Sequence, residues 1–235
     1  MTMPIAKNIE RIEERIQRAC FRSGRKREEI LLMAVSKFQP LDAVKEAWNC
    51  RLRLFGENRV QEGVEKFSSF KETHGDTELH LIGSLQRNKA KTAAAFFDCV
   101  QSLDRDGIIA ELGKFAEARS KPLDVLFELH TGEESKSGFP DIESLCRAAE
   151  LALNFRSLRI RGLMTMAPFT SEPEPVRASF KFLRMAQEEL EKRFPSGADC
   201  SWDCLSMGMS GDFEIAIEEG STLLRIGTAI FGERQ

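Results

Sequence analysis

Tyrosine is absent from the 235 residues, and histidine occurs only three times, at His74, His80 and His130. The first absence removes the phenol as an acid or base. The second leaves no histidine pair at metal-ligand spacing, so no metal site is expected. No apolar run approaches the roughly 20 residues that a membrane span needs. The first twenty residues are amphipathic and rich in both charges, and they lack the apolar stretch of a secretory signal. Such a chain is expected to be soluble and cytoplasmic. Neither charge dominates: 34 Lys and Arg stand against 37 Asp and Glu, a formal net charge of -3. That balance argues against a nucleic-acid partner. Six cysteines are scattered along the chain; Cys200 and Cys204, the one close pair, lack CxxC spacing, so reduced thiols are expected. A nucleophile elbow and a triad-like serine motif are also missing.

What is present is a regular alternation. Ile5, Ile9, Ile12, Ile16 and Ala19 recur at helical spacing and predict one amphipathic helix over 5–22. Short apolar runs then predict strands at 31–36, 52–56, 79–83, 98–103, 123–129, 158–164, 202–206 and 223–226. Runs that are apolar on both faces suit buried parallel strands. Helical stretches follow at 40–48, 59–70, 87–97, 105–119, 141–153, 175–194 and 213–219, with a vestigial one at 229–235. Eight strands alternating with helices in one chain of this length predict an α/β fold, a (β/α)8 TIM barrel, as a single domain over 1–235 with an additional N-terminal helix completing the outer ring. The rival, a doubly wound open sheet, wants a glycine-rich turn after its first strand. The turn here is Lys37-Phe38-Gln39-Pro40. The proline-rich patch 171–175 reads as one loop.

A barrel keeps its chemistry at the C-terminal strand ends. Lys37 follows an uncharged run from Ile30 to Ser36. Desolvation at such a place favours the neutral amine, a nucleophile toward carbonyls, although a surface lysine in a βα loop fits the position too. After strands seven and eight, Ser206-Met207-Gly208-Met209-Ser210-Gly211-Asp212 and Gly227-Thr228-Ala229 are small-residue turns that let backbone N–H groups approach an anion. Those two loops are where barrels often bind phosphate. Arg225 lies in an apolar strand and needs a partner, a barrel carboxylate or a ligand ring. Asn58, ending strand two, serves a ligand or caps the next helix.

Several stretches resemble the pyridoxal phosphate homeostasis protein family: Ala34-Val35-Ser36-Lys37, 55–62 (FGENRVQE), 80–89 (HLIGSLQRNK), 132–138 (GEESKSG), 161–164, 205–210 (LSMGMS) and 220–232. They cover nearly the whole chain in the family's order. The resemblance implies a fold-type III barrel binding pyridoxal 5′-phosphate (PLP), like the N-terminal domain of alanine racemase. It implies that Lys37 forms a Schiff base with PLP. It implies that Arg225 hydrogen-bonds the pyridine nitrogen, that Ser206, Ser210, Gly227 and Thr228 hold the phosphate, and that Asn58 lies on the ring's oxygen side. An arginine at that nitrogen opposes its protonation and weakens the ring as an electron sink. Two departures stand out. Leu79 replaces the family's aromatic residue before the histidine of strand three, and His130 replaces an asparagine after strand five; both are expected near the barrel mouth.

The expected function is therefore intracellular homeostasis of PLP, by storage, protection or delivery to apo PLP-dependent enzymes, by a monomer or weak dimer. The alternative is a PLP-dependent amino-acid racemase. Two-base racemization needs a second acid or base opposite the lysine. Alanine racemases take it from a tyrosine on a second domain; this sequence holds no tyrosine and is expected to hold no such domain.

Overall fold

The computed structural model describes residues 4–132 and 137–232. The expected strands form as β1 (Leu31–Val35), β2 (Leu54–Glu57), β3 (Glu78–Leu81), β4 (Cys99–Leu103), β5 (Leu123–Glu128), β6 (Leu158–Met164), β7 (Cys200–Ser206) and β8 (Leu223–Ile226). They close into one parallel barrel in chain order. The rival open sheet is thereby excluded. The helices are α1 (Ile5–Ser23), α2 (Leu41–Asn49), α3 (Val60–Thr73), α4 (Ala90–Phe96), α5 (Asp106–Ala116), α6 (Ile142–Leu153), α7 (Pro173–Arg193), α8 (Phe213–Glu218) and α9 (Thr228–Phe231).

Outward strand residues such as Phe55, Leu79, Val125 and Phe127 join the helices in the main core. Inward residues form separate small clusters, one around Met33, Leu54 and Leu223 and one around Cys99, Leu126 and Met164. Gly56 also faces inward: a Cβ there would lie 2.6 Å from Met33 Sδ. All six cysteines are free thiols. Among the described residues no helix is long and apolar enough to cross a membrane.

Two outer helices are too short to cover their share of the barrel: α8 has 6 residues and α9 has 4. The N-terminal α1 fills that place. Its stripe Ile5, Ile9, Ile12, Ile16 and Ala19 is buried, as i, i+3, i+4 spacing dictates. Asn8 Nδ2 donates to Ile230 O at 2.8 Å, and Arg15 pairs with Glu214 at 3.2 Å.

Some boundaries moved for local reasons. The patch expected as one loop instead starts a helix: Pro173 and Pro175 lie in the first turn of α7, where a missing N–H costs nothing. β2 begins at Leu54, because Arg51 takes φ 70° in the preceding turn. The helix expected over 87–97 opens as a 3-10 turn at Arg87–Lys89 before α4. The last expected helix shortens to α9, and its residues 233–235 lie outside the described residues.

Candidate functional site at the C-terminal mouth

A cavity of about 600 Å³ opens at the C-terminal strand ends. Lys37, Asn58, Ser210, Arg225, Gly227 and Thr228 all line it. Six of the seven expected residues thus converge, Arg225 from β8 itself and the others from the segments after β1, β2, β7 and β8. Asn58 is not a helix cap, since Arg59 takes that position on α3. The small-residue turns are built against each other. Arg225 N donates to Gly208 O at 2.9 Å, and Ala229 N donates to Ser210 Oγ at 3.2 Å. Gly208 permits this with φ 96°; a Cβ there would fall 2.6 Å from Ala216 Cβ.

Arg225 is 4% exposed. Nη1 donates to Ser206 O at 2.6 Å and Ser206 Oγ at 2.7 Å, and Nη2 donates to Thr165 O at 2.7 Å. Among the described residues no carboxylate lies within ion-pair reach; Glu128 and Asp212 act on it only through the field. Burial pushes its pKa down to about 10, which leaves it charged at neutral pH.

Ser206 departs from the expectation. It is fully buried and does not line the cavity. Its hydroxyl accepts from Arg225 and donates to Gln101 Oε1 at 2.6 Å. It holds the arginine, not an anion. Beyond it, Gln101 Nε2 meets His80 Nδ1 at 2.7 Å, and His80 Nε2 meets Glu78 Oε1 at 2.7 Å. A guanidinium only donates, so Ser206 must accept from it and spend its own proton on Gln101. The Gln101 amide must then donate to His80 Nδ1, which fixes the proton on Nε2, facing Glu78. The donation from His80 holds the Glu78 carboxyl below its usual range.

Neither of the two family departures lines the cavity. Leu79 pairs with Phe55 in register and packs in the helix-facing core. His130 is absent from the cavity lining, and its Nδ1 is buried with no hydrogen-bond partner among the described residues. His74 stacks on Phe70 at 4.0 Å between ring centroids. Of the stretch 132–138, residues 133–136 lie outside the described residues.

Sequence reasoning missed three contributors. Glu128 and Asp212 line the cavity as carboxylates, and Met166 to Phe169 form an apolar wall after β6. Glu128 is a charge inside the apolar run expected over 123–129, and β5 ends on it. Burial raises its carboxyl above the usual range, with the Ser137 hydroxyl and Arg225 pulling back. A carboxyl with a higher pKa folded than unfolded supports folding fully when protonated. That support is lost as pH rises from the unfolded value of about 4.3 through the folded one. Glu128→Gln is therefore expected to gain stability over the parent at pH 8 and to match it near pH 4, read by urea melts. An equal difference at both pH values would contradict this account.

Comparisons with known proteins bear on the site. Residues 5–235 match the family described as alanine racemase, N-terminal domain. A protein of Aquifex aeolicus called pyridoxal phosphate homeostasis protein is 40% identical over 99% of this chain and 100% of its own. The structure of PipY from Synechococcus elongatus with PLP bound is 33% identical, with a TM-score of 0.80, over 94% of this chain and 100% of that one. Alanine racemase from Streptomyces coelicolor, 18% identical with a TM-score of 0.72 over 94% of this chain and 58% of that one, shares the fold. This chain belongs to the alanine racemase N-terminal domain family, and within it to the pyridoxal phosphate homeostasis proteins.

Proposed function

We propose that the protein captures PLP covalently through Lys37 and stores, protects or delivers it, rather than consuming it in metabolic chemistry. One observation carries this: an amine, a buried guanidinium and two small-residue turns line a single cavity at the strand ends. The donor set fits the cofactor. Ser210, Gly227 and Thr228 suit a phosphate, and Arg225 suits an acceptor nitrogen on a ring. PLP, when bound, supplies an aldehyde; the Lys37 amine adds to its carbon and water leaves. Asn58, which lines the same cavity, would donate to or accept from the ring's oxygen side. Ser206 and Thr165 aim the guanidinium from below. A charged Arg225 disfavours a proton on the ring nitrogen, so the ring draws electrons weakly. Glu128 and Asp212, both pushed toward their neutral form by burial, leave the cofactor's own negative charge less opposed.

The test uses purified protein, PLP and an apo-aminotransferase. Expected are a visible band on adding PLP, the mass of PLP fixed by borohydride on the peptide containing Lys37, and restored aminotransferase activity on mixing. No band and no fixed mass would end the PLP reading. Rapid exchange of the α-proton of L- or D-alanine with deuterated solvent would replace the carrier with a racemase.

A further inference from the structure

Behind Lys37 lies a charged cluster that the site chemistry does not use. Lys66, on α3, reaches under the β1–α2 loop. Its Nζ donates to Ser36 O at 2.7 Å, to Glu57 Oε1 at 2.8 Å and to Glu62 Oε1 at 3.1 Å. Ser36 Oγ donates to the same Glu57 oxygen at 2.7 Å. Phe38 N donates to Glu62 Oε1. The residue before Lys37 is thus held by its carbonyl and its hydroxyl, and the residue after it by its N–H.

The turn is tight as well. Gln39 N donates to Ser36 O at 3.0 Å, and Phe38 takes φ 63°, a conformation that a bulky side chain rarely adopts. Such backbone persists only where its surroundings impose it. The cluster is itself costly. The Glu57 side chain is 0% exposed and that of Lys66 9%. Glu57 Oε2 is buried with no hydrogen-bond partner among the described residues. Burial raises the Glu57 carboxyl despite Lys66 and Ser36. A buried pair of this kind is a poor source of stability but a good source of a unique geometry.

We infer that Lys66, with Glu57 and Glu62, is a positioning group: it clamps both neighbours of Lys37 so that the amine meets the incoming aldehyde in one orientation. The inference rests on the reading of Lys37 as the capturing amine. Reactions that depend on such placement lose about a hundredfold for a displacement of an ångström.

The experiment measures the rate of appearance of the visible band after adding PLP, the affinity for inorganic phosphate, and the melting temperature, for the parent, Lys66→Met and Glu62→Gln. Lys66→Met is expected to slow capture by about tenfold to a hundredfold, with phosphate affinity unchanged. Glu62→Gln, which can still accept from Phe38 N but pairs less well with Lys66, is expected to slow it less. In a Lys37→Ala background, adding Lys66→Met should leave the affinity for a preformed PLP–methylamine adduct unchanged, because no tethered amine remains to be placed. Capture by Lys66→Met at the parent's rate would overturn the inference while leaving the PLP reading intact. A slowed rate accompanied by equally weakened binding of phosphate or of the adduct would also overturn it, because the effect would then be general loosening. Should Lys66→Met fail to fold, Glu62→Gln decides by the same criteria. A parent that shows no band sinks the underlying reading instead.

Discussion

Lys37→Ala is expected to lose covalent capture of PLP entirely, with no visible band and no borohydride-fixed mass, while retaining weak binding through the phosphate. Lys37 is the one lysine among the described residues that line the cavity. A neighbouring amine therefore has no route to the aldehyde without rearranging the mouth. The small-residue turns do not depend on it. Ser210 is tied to Ala229, and Gly208 to Arg225, by bonds that alanine at position 37 leaves in place. Residual affinity should accordingly fall when inorganic phosphate is added as a competitor. Mass spectrometry after borohydride reduction gives the answer directly. An adduct of undiminished yield on another lysine would contradict the assignment of the amine.

Gly162→Ala should cost much of the protein's stability, although Gly162 does not line the cavity. Gly162 lies in β6 with φ 143°, and a Cβ there would fall 2.0 Å from Cys204 O and 2.8 Å from Cys204 C. Both atoms belong to the backbone of the adjacent strand, so neither can step aside like a flexible side chain. The register between β6 and its two neighbours shifts beside this residue. A bulge of this kind re-aims the strand beyond it, and that strand carries Met164 to the cavity. The loss should exceed about 4 kcal/mol, the range reserved for backbone clashes and unpaired buried groups. For a chain of this size that lowers Tm by roughly ten degrees or more, at about 2–4 °C per kcal/mol. Gly107→Ala is the control. It sits in α5 with no atom within 4 Å of the added methyl, and should be neutral or gain up to about 1 kcal/mol. Calorimetry of both variants tests the pair. A Gly162→Ala protein that melts with the parent would show that β7 yields easily, against this account.

The eight strand–helix units were readable because each strand is a short apolar run, and the parallel barrel buries such runs on both faces. Lys37 and Arg225 were readable as charges interrupting those runs. Glu128 was masked, because in sequence the run resumes at Leu129, whereas β5 ends one residue earlier and Leu129 makes only an isolated bridge to Phe139. Ser206 was misread for a different reason. A hydroxyl serves an anion or a guanidinium equally well. Only the pairing of Ser206 with Met164 and Leu223, across three strands far apart in sequence, turns it toward Arg225. Leu79 and His130 show the same limit. Position along a strand is legible in sequence, but which face a residue takes depends on partners that the sequence does not name. The prolines of 171–175 had the ambiguity of their residue type, which both ends loops and begins helices.

The hydrogen bonds from Arg225 through Ser206, Gln101 and His80 to Glu78 all run one way. Each proton points from the ligand end of the cylinder toward its floor, where the Glu78 side chain is 55% exposed. The column is therefore a string of aligned dipoles with a cation at its head and an anion in contact with water at its foot. No single link can be turned around alone: reversing the Gln101 amide would set donor against donor at Ser206 or acceptor against acceptor at His80. The guanidinium beneath the cavity thus fixes, rung by rung, how each partner down to the carboxylate on the far side of the barrel is turned.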